Sequence, residues 1–179
     1  CNYDDTISVQ IRIADNLKAQ FTTPAAGCAP YTAVFDNTSL GGQKFSWDFG
    51  DGTTSTQTNP IHLYNNVGSY VVKLTAVDSN TCNMEDSASF TITVNPKPQA
   101  GFSYSPEPTL PNTPVVFTNS SLAATRYKWI FDDGDTLATR RKDTTVSHLY
   151  NYSGKFNTCL VAYNDAGCSD TTCQLISIT

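Results

Sequence analysis

The sequence predicts an all-β protein built as two β-sandwiches in tandem. Three observations carry that reading. Thr, Val, Tyr and Phe are abundant, while the Ala/Leu/Glu/Lys/Arg mixture of helical proteins is thin. Short stretches alternate polar and apolar residues between turn residues, with no amphipathic helical pattern. The chain also repeats itself, and its 179 residues suit two domains of roughly 80–90 residues each.

The strands follow in order. Tyr31–Phe35 (YTAVF), Lys44–Phe49 (KFSWDF), Ser69–Val77 (SYVVKLTAV) and Ser87–Val94 (SASFTITV) each give one buried and one wet face. Their counterparts recur downstream. Ala33–Ser39 (AVFDNTS) aligns with Val115–Ser121 (VVFTNSS), and Phe45–Gly52 (FSWDFGDG) with Tyr127–Gly134 (YKWIFDDG). His62–Leu74 (HLYNNVGSYVVKL) aligns with His148–Leu160 (HLYNYSGKFNTCL). The offset is 82 residues for the first two blocks and 86 for the third, so the second copy has four extra residues between them. They fall in Thr136–Val146 (TLATRRKDTTV), read as a surface loop or edge.

A partial third copy stands at the start. Cys1–Ile13 (CNYDDTISVQIRI) matches Cys82–Val94 (CNMEDSASFTITV), the last strand of the first full copy. Residues 1–17 are therefore read as the last strand of a preceding, truncated repeat, 18–95 as the first domain and 96–179 as the second, an excerpt from a longer array. An acylated lipoprotein cysteine would explain the start but not the match. The joint is Asn95–Gln99 (NPKPQ), a very short linker stiffened by prolines.

A net charge of −5 argues against nucleic acid, whose backbone demands a basic face. No apolar run approaches 18 residues, so no membrane insertion is expected. The six cysteines, at 1, 28, 82, 159, 168 and 173, form no CxxC pair and lie far in sequence from the two histidines, which disfavours zinc. In such a chain they suggest disulfides and an oxidising compartment.

The ordered set FSWDFGDG, NPIHLY and GSYVVKLTAVD resembles the PKD (polycystic kidney disease) domain, an immunoglobulin-like β-sandwich, over nearly the whole chain. The second copy departs from the pattern, with WIFDDGD (Trp129–Asp135) for WDFGDG and Val-Ser before His148, so that the proline of the first copy's Pro-Ile-His is missing. The fold is expected to persist with a different turn. The resemblance implies one of two roles. The segment is a stalk or adhesive module of a large secreted bacterial surface protein, similar to the giant adhesins of gliding bacteria exported by type IX secretion. Its partners would be neighbouring repeats, a surface glycan or protein ligand, and secretion or motility machinery. Alternatively it is an accessory substrate-binding module of a secreted hydrolase such as a protease or chitinase. Neither role gives this segment an active site or a cofactor.

The residues support that reading. DFGDG sits where one strand reverses into the next, and Gly and Asp tolerate the positive φ that tight hairpins require. Trp47, Asp51, Gly52, His62 and Tyr64, and in the second copy Trp129, His148 and Tyr150, are thus structural: the tryptophans alternate inward, and the repeated His-x-Tyr is a packing and hydrogen-bond element. Calcium is the minor alternative, at Asp48 and Asp51 or at Asp132, Asp133 and Asp135, because neither loop has the oxygen ladder of an EF-hand. No nucleophile repeats beside the histidines, and no phosphate loop or nucleophile elbow appears. Thr139–Lys142 (TRRK) is the one basic cluster, read as a solvated face before an anion or glycan contact.

Cys159 and Cys173 flank YNDAG nearly symmetrically on the last two strands and are predicted to form a disulfide. In an immunoglobulin-type sandwich Cys28 would lie in an early turn and Cys82 in a late turn at the opposite end, one strand of about 23 Å away. Bridged Cα atoms lie within about 7 Å. A Cys28–Cys168 pair, with Cys82 left for the preceding repeat, therefore competes with the intradomain Cys28–Cys82 pair, and both stay open. If the type IX resemblance holds, O-glycosylation is implied at the Asp-Ser/Thr triplets containing Thr6, Ser87, Thr136, Thr144 and Thr171.

Overall fold

The computed structural model describes residues 16–107, 109–140 and 144–179, and its regular elements are all β-strands. The expected first strand, residues 1–17, lies almost entirely outside the described residues. Contacts divide the chain into two units: Cys1–Ala26 with Tyr31–Thr93, and Gly27–Pro30 with Val94–Thr179. The expected division at 95/96 therefore falls two residues later than the observed one at 93/94, and residues 27–30 are counted with the second unit.

The first copy begins with β1 (Phe21–Thr22), β2 (Ala26–Cys28), β3 (Tyr31–Val34) and β4 (Asp36–Asn37). It continues with β5 (Lys44–Asp48), β6 (Thr54–Ser55), β7 (Ile61–Tyr64), β8 (Gly68–Val77) and β9 (Glu85–Asn95). One sheet runs β2-β9-β8-β5-β6; facing strands form the pairs β1-β4 and β3-β7. The alternation read from the sequence appears in β8, where Val72, Leu74 and Ala76 are buried while Val71 and Lys73 are exposed. Ala33, Phe35, Trp47, Phe49, Tyr64 and Ile92 complete the interior. Two side-chain clamps hold the entering chain. Asn83 accepts from Leu17 N (2.8 Å) and donates to Leu17 O (2.8 Å), and Asp86 accepts from Ala19 N (2.8 Å).

The second copy contains β10 (Phe102–Ser105), β11 (Pro114–Asn119), β12 (Arg126–Ile130) and β13 (Thr136–Arg140). It ends with β14 (Thr145–Leu149), β15 (Gly154–Tyr163) and β16 (Ser169–Ile178). Here the sheets are β10-β11-β14 and β13-β12-β15-β16. Between them lie Phe102, Val115, Phe117, Tyr127, Trp129, Phe131, Phe156, Leu160 and Ile176, an interior filled largely by aromatics. Asp170 accepts from Ala100 N at 2.8 Å, as Asp86 does from Ala19. The first five residues of the predicted surface edge form β13, where the first copy has only the two of β6.

Candidate functional site: the repeated aspartate–histidine turn

The WDFGDG hexapeptide carries β5 out of its sheet and back into β6. Trp47 is fully buried and Phe49 nearly so, because residues two apart share a strand face. The turn between them and β6 is shaped by carboxylates. Gly50 N donates to Asp48 Oδ1 (2.9 Å), and Thr53 N and Thr53 Oγ1 donate to Asp51 Oδ1 (3.0 and 2.6 Å). Gly50 and Gly52 have φ of 77° and 89°, and a Cβ on Gly50 would stand 2.6 Å from Val71 O. Glycine is required there by both conformation and space.

Asp51 Oδ2 then accepts from His62 Nε2 at 2.7 Å, tying the turn to β7. His62 lies flat on Phe49, with centroids 4.2 Å apart and planes 1° from parallel, and meets Tyr64 edge-on at 4.6 Å. Tyr64 stacks on Tyr70 at 4.4 Å, and its buried hydroxyl donates to Phe49 O (3.0 Å), closing the circuit. Partial burial works to raise the Asp51 pKa, but the hydrogen bonds from Thr53 and His62 outweigh it and hold the carboxyl below its ordinary value. Burial foremost raises the Tyr64 phenol, which stays protonated.

The second copy rebuilds the circuit. His148 Nε2 donates to Asp133 Oδ2 (2.7 Å), stacks on Phe131 (3.9 Å, 5°) and meets Tyr150 edge-on (4.7 Å). Tyr150 stacks on Phe156 at 4.3 Å. Burial opposes ionisation of Asp133, yet the His148 hydrogen bond and the Asp135 backbone amide lower its pKa. Several positions differ. Asp132, at φ 67°, stands where Gly50 does, and its Oδ2 accepts from Asn157 N (2.8 Å). Asp135 replaces Thr53. Thr158 replaces Val72, and its hydroxyl bonds that of Tyr150 at 2.7 Å. Burial raises the Tyr150 phenol to about 12, with the Thr158 hydrogen bond acting against it.

The chemistry of the circuit is limited by its geometry. A relay needs a carboxylate on one imidazole nitrogen and a nucleophile on the other. Here Asp51 (2.7 Å) and Thr53 Oγ1 (3.4 Å) crowd the same nitrogen, Nε2. Of the calcium candidates, Asp48 and Asp132 each serve a backbone amide. Among the described residues, one set of three could hold a metal: Asp133, Asp135 and His148, with ligand atoms within 4.8 Å of one another. One imidazole with two carboxylates suits a borderline divalent ion better than calcium, which takes six to eight oxygens. Any such ion would have to displace the proton His148 shares with Asp133. The arrangement is a latch between a turn and its neighbouring strand.

The cysteines are placed as follows. Cys28, at the end of β2, is bonded to buried Cys168 with a Cα–Cα distance of 5.7 Å; both are counted in the second unit. Cys159 and Cys173 face each other on β15 and β16 and are bonded, at 4.1 Å. Cys82 lies in the exposed loop between β8 and β9, and Cys28 is bonded to Cys168 rather than to it. Closing the 140-residue span from Cys28 to Cys168 contributes up to ~5 kcal/mol by chain entropy. Ser87, Thr136, Thr144 and Thr171 are exposed, whereas Thr6 lies outside the described residues. Arg141 and Lys142 of the basic cluster also lie outside them. Sequence reasoning missed Phe49 and Phe131 as platforms for the histidines. Their spacing of two from the tryptophans was the available signal.

Comparison with known proteins agrees with this geometry. Over 76 residues the chain is 43% identical to collagenase ColA of Bacillus cereus, a match covering 42% of this chain and 8% of the collagenase. Over 33 residues it is 61% identical to a microbial collagenase of Vibrio alginolyticus, covering 18% of this chain and 4% of that one. The chain thus spans less than a tenth of these relatives. Among solved structures, the fibronectin(III)-like modules of Clostridium thermocellum CbhA superpose with a TM-score of 0.50 at 17% identity, covering 90% of this chain and 94% of theirs, which shows the shared sandwich fold. The PKD1 domain of the Vibrio cholerae metalloprotease PrtV matches at 27% identity and TM-score 0.40, covering 46% of this chain and 96% of its own. Family profiles described as PKD domain match residues 15–94 and 99–177, and the chain accordingly belongs to the PKD family, with two PKD domains in tandem.

Proposed function

We propose that this segment is a non-catalytic, substrate-engaging accessory pair of a secreted protease of the collagenase type. The observation that carries the reading is the 43% identity to a collagenase over 76 residues, nearly the length of one copy. The relatives named above favour it over the adhesion, gliding and type IX export expected from the resemblance. The two disulfides fit an extracellular protein. In this role the latched turns keep the sandwiches rigid, while the exposed sheet faces meet a large, fibrous substrate.

The test is co-sedimentation of the 179-residue chain with insoluble collagen fibres, with release of soluble peptide followed in parallel. The expected result is depletion of the chain from the supernatant without peptide release. Recovery of all the chain in the supernatant would contradict substrate engagement. Reproducible turnover lost in Asp51→Ala would contradict the non-catalytic assignment.

A further inference from the structure

The turn of the second copy carries a carboxylate that the latch does not use. Asp133, Asp135 and His148 each offer a ligand atom, and these atoms lie within 4.8 Å of one another. Two of the three side chains are held in place. His148 is stacked on Phe131 and set edge-on to Tyr150, and Asp133 Oδ1 accepts from Asp135 N (3.1 Å). The side chains of His148 and Asp133 are only 10% and 12% exposed. Asp135 is exposed, so its carboxylate is free to swing towards the imidazole and water reaches the same place.

The first copy builds the same latch without the third ligand. Thr53 stands at the position of Asp135, and its hydroxyl donates to Asp51 Oδ1 (2.6 Å). Exchanging that donor for a carboxylate takes a hydrogen bond from the latch aspartate and sets a second negative charge beside it. Alone, the exchange weakens the turn by repulsion between like charges. A cation held between the carboxylates reverses the sign of that effect. The two turns share a His–Asp distance of 2.7 Å and differ in this one chemical respect.

We propose that Asp133, Asp135 and His148 bind a divalent ion of the borderline class, represented by zinc, and that this ion replaces the shared proton as the link between turn and strand. The donors set the class. An imidazole nitrogen with carboxylate oxygens suits zinc and its neighbours, whereas calcium asks for six to eight oxygens. Three protein ligands leave the fourth position of a tetrahedral ion to water. Binding proceeds by exchange: Nε2 releases its proton to solvent, Nδ1 keeps the proton of the neutral ring, and the Nε2 lone pair turns to the ion. With metal–ligand bonds of about 2.0–2.2 Å, ligand atoms stand roughly 3–3.5 Å apart. Asp133 Oδ2, 2.7 Å from Nε2 in the hydrogen bond, therefore moves aside and Asp135 moves in. The proposal does not rest on the protease reading, since it concerns how one copy holds its own turn.

The experiment is titration calorimetry of the full, untagged chain with zinc chloride near neutral pH, with calcium chloride in parallel. Zinc should bind with a dissociation constant on the order of micromolar, and equimolar calcium should not compete. Asp135→Thr, which imports the residue of the first copy, should weaken zinc binding at least tenfold. Without metal this variant should melt no lower than the parent, because it removes a like charge and returns a donor, so its loss of binding is not a loss of fold. Zinc should also raise the melting temperature followed through Trp129 in a Trp47→Phe background, and leave that followed through Trp47 in Trp129→Phe unchanged. Four results would each overturn the proposal: no zinc binding up to millimolar concentration, undiminished binding by Asp135→Thr, displacement of zinc by equimolar calcium, or stabilisation of the first copy by zinc.

Discussion

The two copies solve the same packing problem with different side chains. In both, an aspartate in the turn, a histidine on the next strand, a phenylalanine beneath it and a tyrosine beside it make one circuit, with His–Asp distances of 2.7 Å in each. The aromatic separations agree to within 0.3 Å: 4.2 and 3.9 Å, 4.6 and 4.7 Å, 4.4 and 4.3 Å. What differs is where the outlying hydrogen bonds go. Tyr64, in a copy with apolar Val72 at the position of Thr158, donates to the main chain at Phe49; Tyr150 bonds the buried Thr158 hydroxyl. The circuit is thus the invariant of the fold, and its periphery adapts to whichever partner the neighbouring strand supplies.

Exchanging residues between the copies should break this comparison most severely at the turn. Gly50→Asp imports the residue of the second copy, yet its Cβ would meet Val71 O at 2.6 Å and Val71 N at 2.8 Å. A loss of about 3 kcal/mol or more is expected in urea unfolding of the first copy, since backbone must move to admit it. The reciprocal Asp132→Gly relieves a non-glycine positive φ and loses one bond to Asn157 N, so it should cost about 1 kcal/mol or less. Equal effects would show that the two turns sit against their neighbouring strands in the same way. Each copy has one fully buried tryptophan, so Trp47→Phe or Trp129→Phe backgrounds let fluorescence follow each copy separately.

A smaller contrast lies at the tyrosine. Thr158→Val leaves the buried Tyr150 hydroxyl without its partner and should cost about 1–3 kcal/mol. Adding Tyr150→Phe should recover part of that loss, because the double variant leaves no unpaired hydroxyl. In the first copy Val72→Thr buries a new hydroxyl beside a tyrosine already bonded to Phe49 O, and a similar loss is expected. If the paired variants are strictly additive, Tyr150 and Thr158 are not coupled.

Much of this was legible in the sequence. Alternation marked β5, β8 and β9, and the repeat paired Trp47 with Trp129 and His62 with His148, because core positions and turn residues leave local patterns. The Cys159–Cys173 facing pair could be read from its symmetric spacing about a turn. The meeting of Asp133 and Asp135 with His148 could not: the aspartates share one loop, the histidine lies on a separate strand, and only the fold brings them together. Short β2, which carries Cys28 to the second unit, was read as a turn, since three residues are too few to show a period. The Thr158–Tyr150 bond was also hidden, because a buried threonine in an alternating strand resembles any other small β-branched residue.

An aspartate that latches the turn makes the stability of its copy depend on pH in a fixed direction. Asp51 and Asp133 have folded-state pKa values below their ordinary ones. Their stabilisation is therefore complete above the usual carboxylate range, near pH ~4, and is lost as pH falls through the lowered folded-state values. Asp51→Asn and Asp133→Asn should each destabilise their own copy by about 1–3 kcal/mol at pH 7, with side chains only 21% and 12% exposed in the parent. Urea unfolding followed through Trp47 or Trp129 at pH 7 and at pH 2–3 is the measurement. The account predicts that the parent loses stability on acidification and that each variant's deficit shrinks towards zero. A deficit that is absent at pH 7, or that persists unchanged at pH 2–3, would contradict it.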